Sequence, residues 1–138
     1  MPVLVTRLER FNAGHRLYRP EFSDEENRRV FGKCSNPSGH GHNYVLEVSV
    51  EGHIDPETGY LFDLKALSEL INKRIIDDVD HANLNVDVAW MAGLNPTAEV
   101  MASTFWDRLE PYLPPGMLYR VKVQETDKNW AERVRDLA

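Results

Sequence analysis

The sequence is poor in cysteine and has no excess of basic residues. Cys34 is the only cysteine among 138 residues, which excludes an internal disulfide and a cysteine-rich metal site. Lys and Arg number 16 against 22 Asp and Glu, a formal net charge of -6. General binding to nucleic acid or anionic membranes requires clustered positive charge, so this balance argues against both. Any anionic ligand must be bound by a local basic site.

Long hydrophobic runs and flexible linkers are also missing. No apolar stretch approaches the roughly 20 residues that span a bilayer, and the first residues carry charges where a signal peptide has its hydrophobic region. No repeat, low-complexity tract or linker divides the chain, and 42% hydrophobic with 28% charged residues suits a globular core. We therefore expect a single cytoplasmic domain over residues 1–138.

Alternating hydrophobicity predicts three strands, over residues 3–11, 43–51 and 118–125. In the second strand the large apolar side chains all fall on one face. In the third strand, strict alternation would place Leu118 and Val121 on opposite faces. Such a sheet leaves open edges, and these favour association between subunits.

Helical spacing of apolar residues predicts two helices between the second and third strands. The first follows the N-cap Asp63 and runs to residue 77 or 78, and the second has Pro96 in its first turn and ends at Pro111. A capping box that begins at Ser23 predicts a further short helix. The order of elements indicates an α+β fold, in which an antiparallel sheet carries two helices on one face.

A Gly-His-Gly-His motif at the start of the second strand is the strongest candidate metal site. On an extended backbone, His40 and His42 point to the same side, where both imidazoles could bind one cation. His15 follows the first strand and is the candidate third ligand, whereas His53 lies in a turn beyond the strand and is left out. Three histidines with an open fourth position are typical of catalytic rather than structural zinc.

Three further candidate sites have two interpretations each, and Glu99 has one. Cys34 lies in a Gly- and Pro-containing loop, where it is either an inert thiol or a reactive one, and a cationic neighbour such as Lys33 favours the thiolate that accepts a proton. Asp80 and His81 are either a helix end with a surface histidine or a proton relay. Glu125 is either a solvated strand end or a carboxylate that accepts hydrogen bonds from an amino-pyrimidinone. Glu99, in the first turn of a helix, complements the helix dipole.

Four motifs in the same order resemble the 6-pyruvoyl-tetrahydropterin synthase family. The resemblance covers nearly the whole chain, and its motifs are FNAGHRL at residues 11–17, FGKCSNPSGHGHNY at 31–44, DHANL at 80–84 and ET at 125–126.

This resemblance implies a zinc-dependent carbon-oxygen lyase of tetrahydrobiopterin biosynthesis, which converts 7,8-dihydroneopterin triphosphate to 6-pyruvoyl-tetrahydropterin and releases triphosphate. It implies the tunnelling fold, in which sheets join edge to edge into a trimeric barrel and two trimers form a homohexamer. The implied roles are Zn²⁺ binding by His15, His40 and His42, proton acceptance by Cys34, a relay by Asp80 and His81 of a neighbouring subunit, pterin anchoring by Glu125, and positions close to the pterin for Thr97 and Glu99.

Related activities differ from this one at identifiable positions. The 6-carboxy-tetrahydropterin synthases of queuosine biosynthesis usually have a shorter interval than the five residues between Cys34 and His40, and folate-pathway relatives generally replace the cysteine with glutamate. A zinc-stabilised binding module without catalysis is the alternative from another class.

Residues 128–138 are less strand-like than the family's usual ending, which leaves the existence of the final strand open. The resemblance also leaves open which basic residues meet the triphosphate, with Arg16, Arg28, Arg29 and Lys33 as candidates.

Overall fold

The structure is a computed structural model that describes residues 2–135. The elements in chain order are β1 (Val3–His15), α1 (Asp24–Phe31), β2 (His40–Gly52), α2 (Leu64–Ile71), α3 (Asp77–Val79), β3 (Ala82–Asn83), α4 (Ala98–Leu109), β4 (Leu118–Thr126) and β5 (Asn129–Val134). A π-helical turn, Asn72–Ile76, joins α2 to α3. The five strands form one sheet in the order β3-β1-β2-β4-β5, in which β3 runs parallel to β1 and the other pairs are antiparallel.

The core lies between one face of this sheet and the helices α2 and α4. β1 and β2 pair along their whole length, from Val3 opposite Gly52 to His15 opposite His40. Successive side chains of a strand alternate between faces, and in β2 the buried side chains are the apolar set that the sequence predicts. The α+β class and the packing of these two helices on one face are confirmed. The sheet contributes Phe11, Ala13, Tyr44, Leu46, Val48, Val50, Leu118, Val121 and Val123 to the core.

The helix starts follow the predicted capping residues, with one correction. Ser23 and Asp63 cap α1 and α2 with side-chain oxygens that accept backbone N–H groups, as predicted. The first-turn position predicted for Pro96 is wrong. Thr97 is the N-cap of α4, and its hydroxyl accepts a hydrogen bond from Val100 N at 3.1 Å. Pro96 therefore lies outside the helix, where its carbonyl is free to bind another group.

A β-bulge in β4 overturns the predicted faces of its first residues. The register with β2 skips Tyr119, because Ser49 pairs with Arg120 whereas Val50 pairs with Leu118. Both Leu118 and Val121 are consequently buried, although strict alternation places them on opposite faces. An extra residue in one strand reverses the alternation beyond it.

The end of the described chain forms a strand that the sequence left open. β5 pairs with β4, although residues 128–138 are less strand-like than the family's usual ending; residues 136–138 lie outside the described part. The short strand β3 was also not predicted. None of the helices within residues 2–135 has the length and apolar character needed to cross a membrane. The cytoplasmic location stays a prediction.

Candidate metal centre and active site

Three histidine side chains converge where β1 ends and β2 begins. His15 lies directly opposite His40 in the antiparallel register, and their Nε2 atoms are 3.0 Å apart. One ring nitrogen from each of His15, His40 and His42 lies within 4.8 Å of the others. The predicted three-histidine cluster therefore forms, and it could hold a metal ion.

Strand geometry brings the three rings to the same place. His15 follows the buried residues Phe11 and Ala13 on the core face of β1, while His40 and His42 precede Tyr44 on the core face of β2. Residues two apart on a strand share a face. The alternation that buries the core therefore also aims the imidazoles at a common point, just beyond the last core aromatic.

Gly39 makes the turn into β2 possible. Its φ is +70°, and a Cβ at this position would lie 2.9 Å from the carbonyl oxygen of His15. A side chain there would meet strain in the left-handed region and would also press on the backbone of a candidate ligand.

Replacement of Gly39 by alanine is expected to weaken metal binding. Gly59 is a matched control, because its φ is +76° but nothing lies within 4 Å of an added Cβ. Each substitution should cost about 1 kcal/mol for the left-handed backbone, and Gly39→Ala should cost more and weaken metal binding about tenfold by shifting a ligand. Chemical denaturation and competition with a chelator would measure both. Equal metal affinities in the two variants would contradict this role of Gly39.

A backbone carbonyl holds the ring of His15. Nδ1–H of His15 donates to the carbonyl oxygen of Pro96 at 2.8 Å, so in the neutral ring Nε2 keeps its lone pair and faces His40. The hydroxyl of Tyr44 lies 3.3 Å from the same Nδ1. Burial lowers the pKa of His15, although the Pro96 carbonyl and Glu125 act against this effect. A neutral imidazole with a fixed tautomer is the form that binds a metal.

His42 lies beside Glu125, the carboxylate predicted to anchor a pterin. The register between β4 and β5 skips Glu125, and a bulge at this position turns its side chain toward β2. Oε1 of Glu125 lies 3.4 Å from Nε2 of His42. Burial lowers the pKa of His42, while the charge of Glu125 opposes this shift.

The donor set fits a transition-metal ion such as zinc. Nε2 of His42 is buried yet has no hydrogen-bond partner within the described residues, because Glu125 is not aligned with it. A buried nitrogen without a partner is costly, and a cation would satisfy it. Zinc–nitrogen bonds of about 2.0–2.1 Å in a tetrahedron place ligand atoms about 3.4 Å apart. The His15–His40 separation of 3.0 Å needs only a small adjustment to meet this value.

The metal-free protein is expected to lose stability as the pH falls below 6.5, the ordinary pKa of His15 and His42. Both pKa values are lower in the folded protein, so the unfolded chain binds protons first and unfolding is favoured; above 6.5 this contribution is constant. Asp80 and Glu110 have pKa values lowered from ordinary values of 3.8 and 4.5, so their contribution to the pH dependence of stability falls at lower pH than that of the histidines.

Urea denaturation of the metal-free protein at several pH values between about 5 and 7 would measure this dependence. His15→Gln should reduce the slope. His53→Gln should preserve it, because the side chain of His53 is exposed in the folded protein as well. A slope unchanged by His15→Gln would show that other groups are responsible.

A cavity of about 230 Å³ lies beside the metal centre. The three residues predicted near a pterin, Thr97, Glu99 and Glu125, all line it, together with Leu17 and Asn129. The side chain of Thr97 also caps α4. Its lining combines polar groups, among them the Glu125 carboxylate beside His42, with the apolar side chains of Leu17, Ala98 and Trp130, which suits a small heteroaromatic ligand.

Cys34 lies in the turn Gly32–Ser35 and is half-buried. Its backbone carbonyl accepts a hydrogen bond from Leu17 N at 2.8 Å, which ties the loop to the end of β1. The histidine cluster found within residues 2–135 does not include its sulfur. The backbone of Cys34 is thus tied to the segment that follows His15, and its sulfur is not among the candidate ligand atoms.

Asp80 and His81 form a pair at the edge of the sheet. Their side chains lie 3.1 Å apart, and 80% of the His81 side chain is exposed. A backbone hydrogen bond from Asn12 and the contact with His81 lower the pKa of Asp80. Within residues 2–135, no hydrogen bond or ion pair joins this pair to Cys34. The chain alone does not assemble the predicted relay.

Two groups of the centre were not singled out from the sequence. Tyr44 could have been found from the sequence, because it is two positions after His42 and therefore lies on the same face of the strand. The Pro96 carbonyl gave no such signal, because a backbone oxygen has no residue type and its contact with His15 spans 81 positions.

Comparison with known proteins places this geometry in a family. Residues 4–136 match the family model of 6-pyruvoyl tetrahydropterin synthase. The human 6-pyruvoyl tetrahydrobiopterin synthase is 49% identical over 125 residues, which cover 91% of this chain and 86% of the human protein. The Drosophila melanogaster protein of the same name is 46% identical over 91% of this chain and 75% of its own length. The structure of Caenorhabditis elegans 6-pyruvoyl tetrahydropterin synthase superposes with a TM-score of 0.92 at 37% identity, and the match covers 99% of this chain and 97% of that one.

Proposed function

Since the chain belongs to the 6-pyruvoyl tetrahydropterin synthase family, we propose that it is a zinc-dependent lyase acting on 7,8-dihydroneopterin triphosphate. Its products are 6-pyruvoyl-tetrahydropterin and inorganic triphosphate. The observation that carries this proposal is the cluster of His15, His40 and His42 beside a cavity lined by Glu125. That arrangement supplies a metal centre and a pterin-sized pocket within one site.

The reaction balances without an external oxidant or reductant. Two side-chain carbinol carbons are oxidised to carbonyls, and two reductions offset this: the dihydropterin ring becomes a tetrahydropterin, and the carbon that loses the triphosphate becomes a methyl group. The triphosphate leaves with the electrons of its carbon–oxygen bond. The protein must therefore remove protons from carbon and return them elsewhere on the same molecule. This requires a base close to the side chain and a fixed ring.

The histidine cluster and the loop after α1 divide these tasks. Bound by the three imidazoles, zinc would supply Lewis-acid stabilisation of negative charge on the side-chain oxygens. The thiolate of Cys34 accepts the proton from carbon. The half-buried position of Cys34, in a loop tied to the end of β1, supports this role.

Glu125 anchors the pterin by accepting hydrogen bonds from its amino-pyrimidinone edge, because a carboxylate can accept two parallel N–H groups. Thr97 and Glu99 line the same cavity and contact the ring from the start of α4. This places the side chain of the substrate toward His42, whose Nε2 lies 3.4 Å from Glu125.

A neighbouring subunit completes the site. Asp80 and His81 lie at the β1 edge of the sheet, where β3 covers only Ala13 and Gly14. The rest of this edge of β1 and the outer edge of β5 pair with no other strand within residues 2–135. We propose that the sheets join at these edges into a trimeric barrel and that two trimers form a hexamer, which would bring Asp80 and His81 to Cys34 of another copy.

Removal of the metal is expected to abolish release of triphosphate. The chelator-stripped protein should be inactive with 7,8-dihydroneopterin triphosphate, and about one equivalent of Zn²⁺ per chain should restore activity, as three ligands form one site. An assay for inorganic triphosphate would follow both states. Full activity of the stripped protein would contradict a catalytic metal, and inactivity at full zinc loading would favour a zinc-stabilised binding module.

The 6-carboxy-tetrahydropterin synthase reaction is the second candidate for this site. The five residues between Cys34 and His40 favour the pyruvoyl product, as do the names of the relatives with 46–49% identity. The two reactions release different products from the substrate side chain, so analysis of the pterin product separates them.

A further inference from the structure

A second, smaller cavity adjoins the loop that carries Cys34. Its volume is about 60 Å³, and its lining includes Arg16, Arg28 and Asp24. A single water needs about 10–15 Å³ measured in this way, so the space suits a group of a few heavy atoms. It is far smaller than the 230 Å³ cavity beside Glu125.

Arg16 is held in place before any ligand arrives. Its Nε donates to the carbonyl oxygen of Ser35 at 2.7 Å, and its guanidinium carbon lies 3.9 Å from the centre of the Tyr18 ring. No carboxylate within residues 2–135 forms an ion pair with it. The remaining N–H groups of a fixed, uncompensated guanidinium form a ready site for an oxyanion.

Arg28, like Arg16, has no carboxylate partner among the described residues, whereas other arginines nearby in the sequence do. Arg29 pairs with Glu26, and Arg19 pairs with Glu21, so their charges are already compensated. Arg28 forms no ion pair within the described residues and lines the cavity together with Arg16. Two arginines without carboxylate partners therefore share one small cavity in a chain whose net charge is -6.

Consecutive residues after β1 line the two cavities. Arg16 directly follows the candidate ligand His15, and Ser35 directly follows Cys34, so the small cavity adjoins both segments. Leu17, the next residue, lines the larger cavity. A substrate with its ring beside Glu125 and its side chain at the histidines would extend its phosphates toward Arg16.

We infer that the small cavity binds a phosphoryl group of the substrate's triphosphate, with Arg16 and Arg28 as its cations. This inference rests on the proposed function, since it assigns the polyphosphate end of that substrate. Of the two adjacent arginines on α1, Arg28 and not Arg29 contacts the phosphoryl group. Asp24 lines the cavity as well and opposes the anion, so it lowers the affinity.

Calorimetric titration of the zinc-loaded protein with inorganic tripolyphosphate tests this assignment. Arg28→Ala should weaken binding about tenfold or more, the effect of losing one charge-assisted contact. Arg29→Ala removes the same charge from the next residue and should change the affinity less than about twofold. Asp24→Asn should tighten binding about threefold. Zinc content should be measured and equal in all variants, because polyphosphate also binds free zinc.

Equal losses in Arg28→Ala and Arg29→Ala would overturn the assignment, as would failure of the unsubstituted protein to bind tripolyphosphate. Kinetics with the triphosphate substrate provide an independent arm, in which Arg28→Ala should raise KM more than it lowers kcat. If neither the unsubstituted protein nor any variant turns over the substrate, while Arg28→Ala still binds tripolyphosphate more weakly than Arg29→Ala, the proposed function fails and the anion site stands. If Arg28→Ala and Arg29→Ala both turn over the substrate with identical KM values, the anion-site assignment is contradicted and the proposed function is not.

Discussion

Replacement of Cys34 by alanine is expected to abolish turnover and to leave the metal in place. The thiol is the proposed proton acceptor, and loss of a positioned general base typically lowers the rate about 10²–10⁴-fold. Its sulfur is not among the clustered ligand atoms of the described residues, so zinc content should stay at that of the unsubstituted protein. Single-turnover kinetics and metal analysis on the same sample would test both parts.

Ser38→Ala is the matched control for this variant. Ser38 lies in the same loop and its side chain is exposed, so replacing its polar group by hydrogen should leave both activity and zinc unchanged. Loss of zinc from Cys34→Ala would identify the sulfur as a ligand and require a different base. Undiminished turnover in Cys34→Ala would exclude the cysteine from proton transfer altogether.

Replacement of His42 by alanine is expected to remove the metal and, with it, the activity. Its Nε2 is one of three buried side-chain nitrogens without a hydrogen-bond partner in the described structure, and the only one of the three that belongs to a histidine. Loss of a direct ligand should weaken zinc binding by more than about 100-fold, the upper range for changes to groups that only support ligands. Competition with a chromophoric chelator would measure the affinity.

His53→Ala is the control for His42→Ala. Both variants lose one imidazole, but His53 is exposed in the turn after β2 and lies outside the cluster. Its zinc affinity and activity should equal those of the unsubstituted protein. If His42→Ala bound zinc as tightly as His53→Ala does, the centre would need a different set of ligands.

The cluster of three histidines could be predicted because strand periodicity determines it. His40 and His42 alternate in step with Tyr44, Leu46 and Val48, so the pattern that buries the core also orients the imidazoles. His15 joins them because β1 and β2 pair without a break down to His15 and His40. The fold class and the covering of one sheet face were predictable for the same reason.

The parts that escaped prediction depend on tertiary contacts. The bulges at Tyr119 and Glu125 add one residue to a ladder without a local signal, and the second of them turns the carboxylate toward His42. The acceptor for His15 is the carbonyl of Pro96, which reaches it only because α4 begins at Ala98. The strand β5 pairs with β4, although its own sequence, NWAERV, lacks a regular alternation of apolar and polar residues.

The relay remains a proposal about more than one chain. Asp80 and His81 contact each other at the sheet edge, and a link to Cys34 requires the proposed assembly. Sequence motifs identify such residues before the geometry does, because a motif reflects the completed site whereas one chain contains only part of it.

The product of the zinc-loaded protein tests the central claim most directly. The full chain should be incubated with 7,8-dihydroneopterin triphosphate under anaerobic conditions, and the pterin product should be identified by mass spectrometry. We predict 6-pyruvoyl-tetrahydropterin and an equal amount of inorganic triphosphate. A 6-carboxy or side-chain-cleaved pterin as the main product, or unchanged substrate at full zinc loading, would contradict the proposed function.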